Sequence, residues 1–161
     1  MRVKSRPWLG TCDLRFSSSS PSKENPIPTT IHQGVCKAPL KLMKAFKSAQ
    51  GRCELPVLHT AGGLVGGDQL SLKMQAEANS KVLVSTVAAQ KVYGTIGRSK
   101  LFPTGEWSKQ ETSIYLSENS DFEWLPQEII IYEGGLYEQN MIVSLSSSAS
   151  FLPVDLVRLG R

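Results

Sequence analysis

A chain of 161 residues that is 40% hydrophobic and 20% charged suits one domain, or part of a larger one, with enough apolar surface for a real core. That balance excludes wholesale disorder, and the lack of any run of about 18 apolar residues excludes a membrane-spanning helix. The net charge of +4 hides an asymmetry: residues 1–52 hold ten Lys or Arg against Asp13 and Glu24, whereas residues 53–161 hold eight against twelve acids. A basic lobe can meet phosphate, nucleic acid or an acidic protein, although a solvated face with a mobile arm is the commoner outcome. Aromatic residues do not interleave with the basic ones as a nucleic-acid stacking platform needs, so no nucleic-acid partner is expected.

The opening Met1-Arg2-Val3-Lys4-Ser5-Arg6-Pro7-Trp8 is basic but lacks the apolar centre of a secretion signal. Leu14-Arg15-Phe16 has the character of a strand end. Residues 17–30 hold five serines and three prolines and read as a flexible polar loop. An extended stretch resumes at Ile31 to Val35. From Pro39 to Gln50, Leu40, Met43 and Phe46 recur at every third position with Lys41, Lys44 and Lys47 between them, which favours a basic amphipathic helix. Leu40 and Leu42 alternating with lysines would equally open a strand. Cys12, Cys36 and Cys53 are odd in number and form no CxxC, so free thiols in a reducing cytosol are expected. Together with His32 and His59 they have no zinc-like spacing.

The most distinctive segment is His59-Thr60-Ala61-Gly62-Gly63-Leu64-Val65-Gly66-Gly67-Asp68. Four glycines in six residues imply a backbone path closed to other residue types. A dinucleotide fingerprint needs GxGxxG between a strand and a helix, and here the order is GGxxGG with a strand pattern after it. A phosphate loop needs Gly-Lys-Ser/Thr, and here Gly67 precedes Asp68, whose charge repels phosphate. What remains is a tight strand-to-strand connection, with Asp68 capping the turn through backbone amides.

From residue 53 onward the period is two. Leu70, Leu72, Met74 and Ala76 alternate with Ser71, Lys73 and Gln75, and Thr112, Ile114 and Leu116 with Ser113 and Tyr115. Lys81 to Val87, Glu128 to Tyr132 and Met141 to Leu145 read as further strands. Turn residues separate them at Ala78-Asn79-Ser80, Pro103-Thr104-Gly105, Glu118-Asn119-Ser120 and Gly134-Gly135. Asn79-Ser80-Lys81-Val82 resembles Asn119-Ser120-Asp121-Phe122, with Ala149-Ser150-Phe151-Leu152 as a frayed third copy. Stacked coils of a β-solenoid would produce such a repeat. There is no G-x-S-x-G elbow and no catalytic set around His32 or His59. The acids Asp68, Glu128, Glu133 and Asp155 are scattered along the chain.

Several stretches together resemble one family, the urease accessory protein UreD, also called UreH. They are Gly10-Thr11-Cys12-Asp13-Leu14-Arg15-Phe16, residues 32–42, the glycine segment, Ser85-Thr86-Val87-Ala88-Ala89-Gln90-Lys91-Val92-Tyr93, Phe122-Glu123-Trp124-Leu125-Pro126-Gln127-Glu128 and Leu156-Val157-Arg158-Leu159-Gly160-Arg161. The resemblance implies a mainly β fold, wound as solenoid-like stacked sheets, and favours strand over helix at Pro39 to Phe46. It implies a cytoplasmic, non-enzymatic protein, off the membrane, that binds apo-urease with UreF-like and UreG-like partners and assists nickel insertion. Nickel would be transient, passing through an internal passage. A passage needs ligands weak enough to release the ion, and the scarcity of His and Cys pairs suits transit. Asp68, Asp155 and Glu128 are the residues this reading places on the path, while His59, Gly62, Gly63, Gly66 and Gly67 form the structural motif.

Two departures stand out: Gly94 where the family commonly has arginine, and Leu152-Pro153-Val154 before Asp155. The family usually continues well past the final Gly-Arg, so residues 1–161 read as one incomplete domain, truncated at the C-terminus. The rival reading is a β-rich enzyme or binding module whose glycine loop cradles an anionic substrate.

Overall fold

The computed structural model describes residues 7–23 and 26–160. Among them the chain forms fourteen strands and no helix. No helix is therefore long and apolar enough to cross a membrane. Met1 to Arg6, Glu24, Asn25 and Arg161 lie outside the described residues.

Three sheets divide the strands. The first contains β1 (Leu9–Ser18), β2 (Thr30–Lys37), β6 (Gln69–Ala76), β9 (Ser108–Leu116) and β12 (Tyr137–Leu145). The second contains β3 (Leu40–Leu42), β4 (Phe46–Lys47), β5 (Cys53–His59), β7 (Lys81–Val87), β10 (Asp121–Leu125) and β13 (Ser150–Pro153). The third contains β8 (Gln90–Val92), β11 (Ile129–Ile131) and β14 (Val157–Leu159). The chain visits the sheets in that order three times, from β6 to β14. Each new strand lies parallel to the one laid down a circuit before, as in Lys81–Asp121–Ser150 and Gln90–Ile129–Val157. An earlier layer consists of β1, β5 and Leu64, which bridges Val92 in the third sheet. Antiparallel strands close that end: β2 on β1, and β3 and β4 on β5.

The two-residue period sets which side chains face inward. Leu14, Met74, Ile114 and Val143 are partners across the first sheet, and the first three are buried. Opposite them, Phe122 packs edge-on to Phe16 at 6.0 Å and lies 6.2 Å from Phe151. Burying each large side chain contributes about 1.5–3 kcal/mol, so the shared core stabilises strands that could not stand alone.

The repeat seen in sequence is a set of three corners closed by the same backbone bond. The amides of Ser80, Ser120 and Ala149 bond the carbonyls of Glu77, Ser117 and Ser146 at 3.1, 3.2 and 3.1 Å. Asn79 and Asn119 sit at φ of 61° and 53°, a region Asn tolerates better than most residues. In the third corner Ser148 takes that place, and its hydroxyl accepts the Asn119 amide at 3.0 Å.

Three expectations change. Pro39 to Gln50 is not a helix: β3 and β4 pair with β5, and Met43 N bonds Pro56 O at 3.0 Å. Cross-strand pairing overrides a local period of three in so short a segment. The serine-rich connection is shorter than 17–30, since β1 runs to Ser18 and β2 begins at Thr30. Its ends are tied by Ser19 N to Thr29 O at 2.9 Å. Finally, Cys12 and Cys36 are not free thiols but a disulfide. The antiparallel register puts them directly opposite, with Cα atoms 4.1 Å apart. Cys53 is free and buried, its Sγ 4.0 Å from His32 Nδ1.

Candidate functional site

The glycine segment turns the chain twice, from β5 into the third sheet at Leu64 and from there into β6. Thr60 anchors the first turn, its amide and hydroxyl both donating to Pro39 O at 2.7 and 2.9 Å. Leu64 is fully buried and makes two strand-like bonds, Leu64 N to Lys91 O at 2.7 Å and Tyr93 N to Leu64 O at 2.9 Å. This pairing explains Gly63: a Cβ there would lie 2.6 Å from the Tyr93 ring and 2.9 Å from Lys91 O. Gly66 is constrained in the same way, because its Cβ would fall 2.8 Å from Glu106 Cβ and 2.9 Å from Thr95 Cγ2.

Asp68 closes the second turn and is buried. Its carboxylate accepts Trp8 N at 3.1 Å and Val65 N at 3.0 Å, while its own amide bonds Val65 O at 3.1 Å and its carbonyl accepts Lys109 N at 2.9 Å. Strand β6 follows, so no helix amino end faces a ligand here. The amides of Leu64, Val65, Gly67 and Asp68 are all engaged within the protein, so those four do not cradle an anionic substrate.

Beside the first turn lies a cavity of about 190 Å³. Apolar side chains such as Leu70, Leu72 and Trp124 form much of its wall, with His59, Gln90 and Gln110 as polar lining. His59 Nε2 is shut off from solvent without a hydrogen-bond partner among the described residues. Burial pushes the His59 pKa below its ordinary 6.5, with the Asp68 charge acting in the opposite sense. The imidazole is therefore neutral at neutral pH and keeps a lone pair for a proton donor or a cation.

The other two predicted acids sit elsewhere. Glu128 precedes β11 and pairs with Arg158 Nη1 at 3.4 Å. Asp155 is exposed and accepts Gln139 Nε2 at 3.0 Å. Tyr137 donates to Gln139 Oε1 at 3.1 Å, giving a Tyr137–Gln139–Asp155 chain. Burial, and then the Asp155 charge, push the Tyr137 phenol well above its usual 10. Because Ile129 N bonds Leu156 O at 2.8 Å, Glu128 and Asp155 occupy one corner, between the second and third sheets, in successive layers. Asp68 lies at the opposite end of the third sheet, where the chain returns to the first. Among the described residues, no three His, Cys, Asp or Glu side chains converge as a metal cluster.

Sequence reasoning overlooked the polar residues that face the interior. Ser108, Gln110 and Thr112 share the phase of Ile114 and Leu116 on β9, and Gln139 shares that of Met141 and Val143 on β12. Ser108 and Thr112 are buried, and Thr112 Oγ1 has no hydrogen-bond partner among the described residues. The signal was available as polar residues in an apolar phase.

Known proteins supply the wider context. The family described as UreD urease accessory protein matches residues 9–161. Urease accessory protein UreD of Prochlorococcus marinus strain NATL1A is 58% identical over 155 residues, covering 96% of this chain and 50% of that protein. The protein of the same name from Synechococcus sp. strain WH7805 is 53% identical over 155 residues, covering 96% of this chain and 48% of that protein. The chain thus spans about half the length of the curated relatives it matches. With the glycine segment, the stacked corners and the matched residues agreeing over nearly all its length, the chain belongs to the UreD urease accessory protein family.

Proposed function

We propose that this chain is about half of a wound, solenoid-like β-scaffold that assists nickel insertion into apo-urease without catalysing a reaction itself. The family match over residues 9–161 carries the reading. In this proposal the protein works in the cytoplasm with UreF-like and UreG-like partners and holds Ni²⁺ only in transit.

The interior chemistry supports a conduit. Nickel binds most tightly to thiolate and clustered imidazole, and either would slow its release. The polar interior instead presents amides and hydroxyls at Gln110, Thr112 and Gln139, with one unpartnered imidazole nitrogen at His59 beside the cavity. Such ligands exchange quickly, which a transit path requires. Asp155, exposed and bonded only through Gln139 among the described residues, is the most available of the three acids. Glu128 would have to leave Arg158, and Asp68 would have to release two backbone amides.

The test is urease activation in cells carrying Asp155→Ala, with urease nickel content and the level of the accessory protein measured alongside. Loss of urease nickel at an unchanged protein level is the expected result. Full nickel loading would remove Asp155 from the path.

A further inference from the structure

One link in the winding is out of proportion. Between the third and first sheets the chain uses five residues, 132–136, after β11 but fifteen, 93–107, after β8. Loops of that length inside a compact layer are uncommon and are often binding elements. This one is not slack. Thr95 Oγ1 donates to Glu106 O at 3.1 Å and accepts Glu106 N at 3.3 Å, closing the neck. Thr95 N and Ile96 N both bond Gly134 O, at 2.8 and 3.2 Å, and Gly97 N bonds Pro103 O at 2.9 Å. At the tip, Ser99 Oγ accepts the amides of Leu101 and Phe102 at 3.2 and 3.3 Å. The neck rests on Gly66, whose missing Cβ leaves the space that Thr95 and Glu106 fill.

What this braced loop displays is apolar and basic. Ile96, Leu101, Phe102 and Trp107 are 51%, 60%, 48% and 54% exposed. Arg98 and Lys100 flank the tip, exposed, and neither is in an ion pair among the described residues. Large exposed apolar side chains beside unpaired cations are the composition of an interface centre with a charged rim. A loop already fixed by its own hydrogen bonds loses little entropy on docking.

We propose that the loop at residues 95–106, seated on the Gly66–Asp68 corner, is a docking element for a protein surface that offers an apolar pocket rimmed by carboxylates. Its charge complementarity selects an acidic rim, and its fixed shape selects a shaped protein surface over fluid lipid. Resting on the proposed function, the inference assigns that surface to the urease apoprotein.

The experiment co-expresses the full chain with the urease subunits and measures their association at several salt concentrations. Leu101→Ser with Phe102→Ser should weaken association at least tenfold while the circular-dichroism melt is unchanged. Arg98→Glu with Lys100→Glu should weaken it and flatten its salt dependence. Ile142→Ser, another exposed apolar residue, serves as the control and should leave association intact. Folded loop variants that bind urease as the parent does would overturn the loop assignment and leave the family reading untouched. A folded parent chain that fails to bind urease at any salt would overturn the proposed partner, and this inference with it. Sedimentation with phosphatidylserine vesicles that depends on Leu101 and Phe102, while urease binding does not, would also overturn the protein assignment.

Discussion

The first and last layers of strands carry the same pattern and differ in burial. Phe16, Ala76, Leu116 and Leu145 are partners across the first sheet; the first three are at most 1% exposed, whereas Leu145 is 52% exposed. At the first end, antiparallel β2, β3 and β4 lie against β1 and β5. At the other end, the outer edges of β12, β13 and β14 have no strand neighbour among the described residues. Alternation thus fixes which face points inward, but burial depends on having a layer on both sides. The end bearing β2, β3 and β4 is closed, and the end bearing β12, β13 and β14 is open among the described residues.

Core truncation offers the largest test of that difference. Phe122→Ala in the middle layer should cost about 3–5 kcal/mol, as for other buried aromatics. Phe151→Ala, half-buried in the last layer, should cost less than half as much. Urea unfolding of both variants, with equal denaturant slopes, makes the measurement. Equal costs would mean that the last layer is as well packed as the middle one.

Opening the cap comes next. The Cys12–Cys36 disulfide fastens the edge strand β2 to β1 across a sequence separation of 24. Closing a loop of that length stabilises by about 2–4 kcal/mol in the chain-entropy account. Cys12→Ser with Cys36→Ser should lower stability by that amount, and added reductant should then have no further effect. A parent chain that melts at the same temperature with and without reductant would show that β2 needs no staple.

A smaller contrast separates two acids that sequence reasoning treated alike. Asp68→Ala leaves the amides of Trp8 and Val65 without their acceptor, a loss of about 1–3 kcal/mol. Asp155→Ala removes an exposed contact to Gln139 and should change stability by less than about 0.5 kcal/mol. Chemical denaturation of the two variants ranks them. Equal effects would show that the Asp68 corner is open enough for water to replace the carboxylate.

How far the sequence revealed this molecule varies with the range of the forces involved. Strands β6, β7 and β9 were legible because a period of two is a local property. The corner repeat was legible because a left-handed turn selects Asn at residues 79 and 119. The pairing of Cys12 with Cys36 was not, since it follows from a strand register set 24 residues away. At β3 the residue pattern left helix and strand open, because a three-residue segment carries too little alternation to oppose the period of three over Leu40, Met43 and Phe46, and the family resemblance was what favoured strand. Asp68 as a turn cap was legible. That Gly66 seats a loop thirty residues downstream was not, because a glycine does not announce what fills the space it leaves.

The smallest expected effect is also the one most specific to each end. His59 belongs to the closed end, and its folded pKa is lowered from 6.5, chiefly by burial. On acidification the unfolded chain takes up that proton first. Its contribution to stability is therefore complete above pH 6.5 and is lost as pH falls toward the lowered folded value. Tyr137 belongs to the open end, and its folded pKa is raised above 10 by burial and by Asp155. There the unfolded chain loses its proton first as pH rises, so stability is complete below pH 10 and is lost above it. Urea midpoints for the parent, His59→Gln and Tyr137→Phe resolve the two. His59→Gln should lose less stability than the parent between about pH 7 and about pH 5, and Tyr137→Phe should lose less above about pH 10. A parent and His59→Gln that decline together in acid would mean that water reaches the imidazole and that its Nε2 is not shut off from solvent.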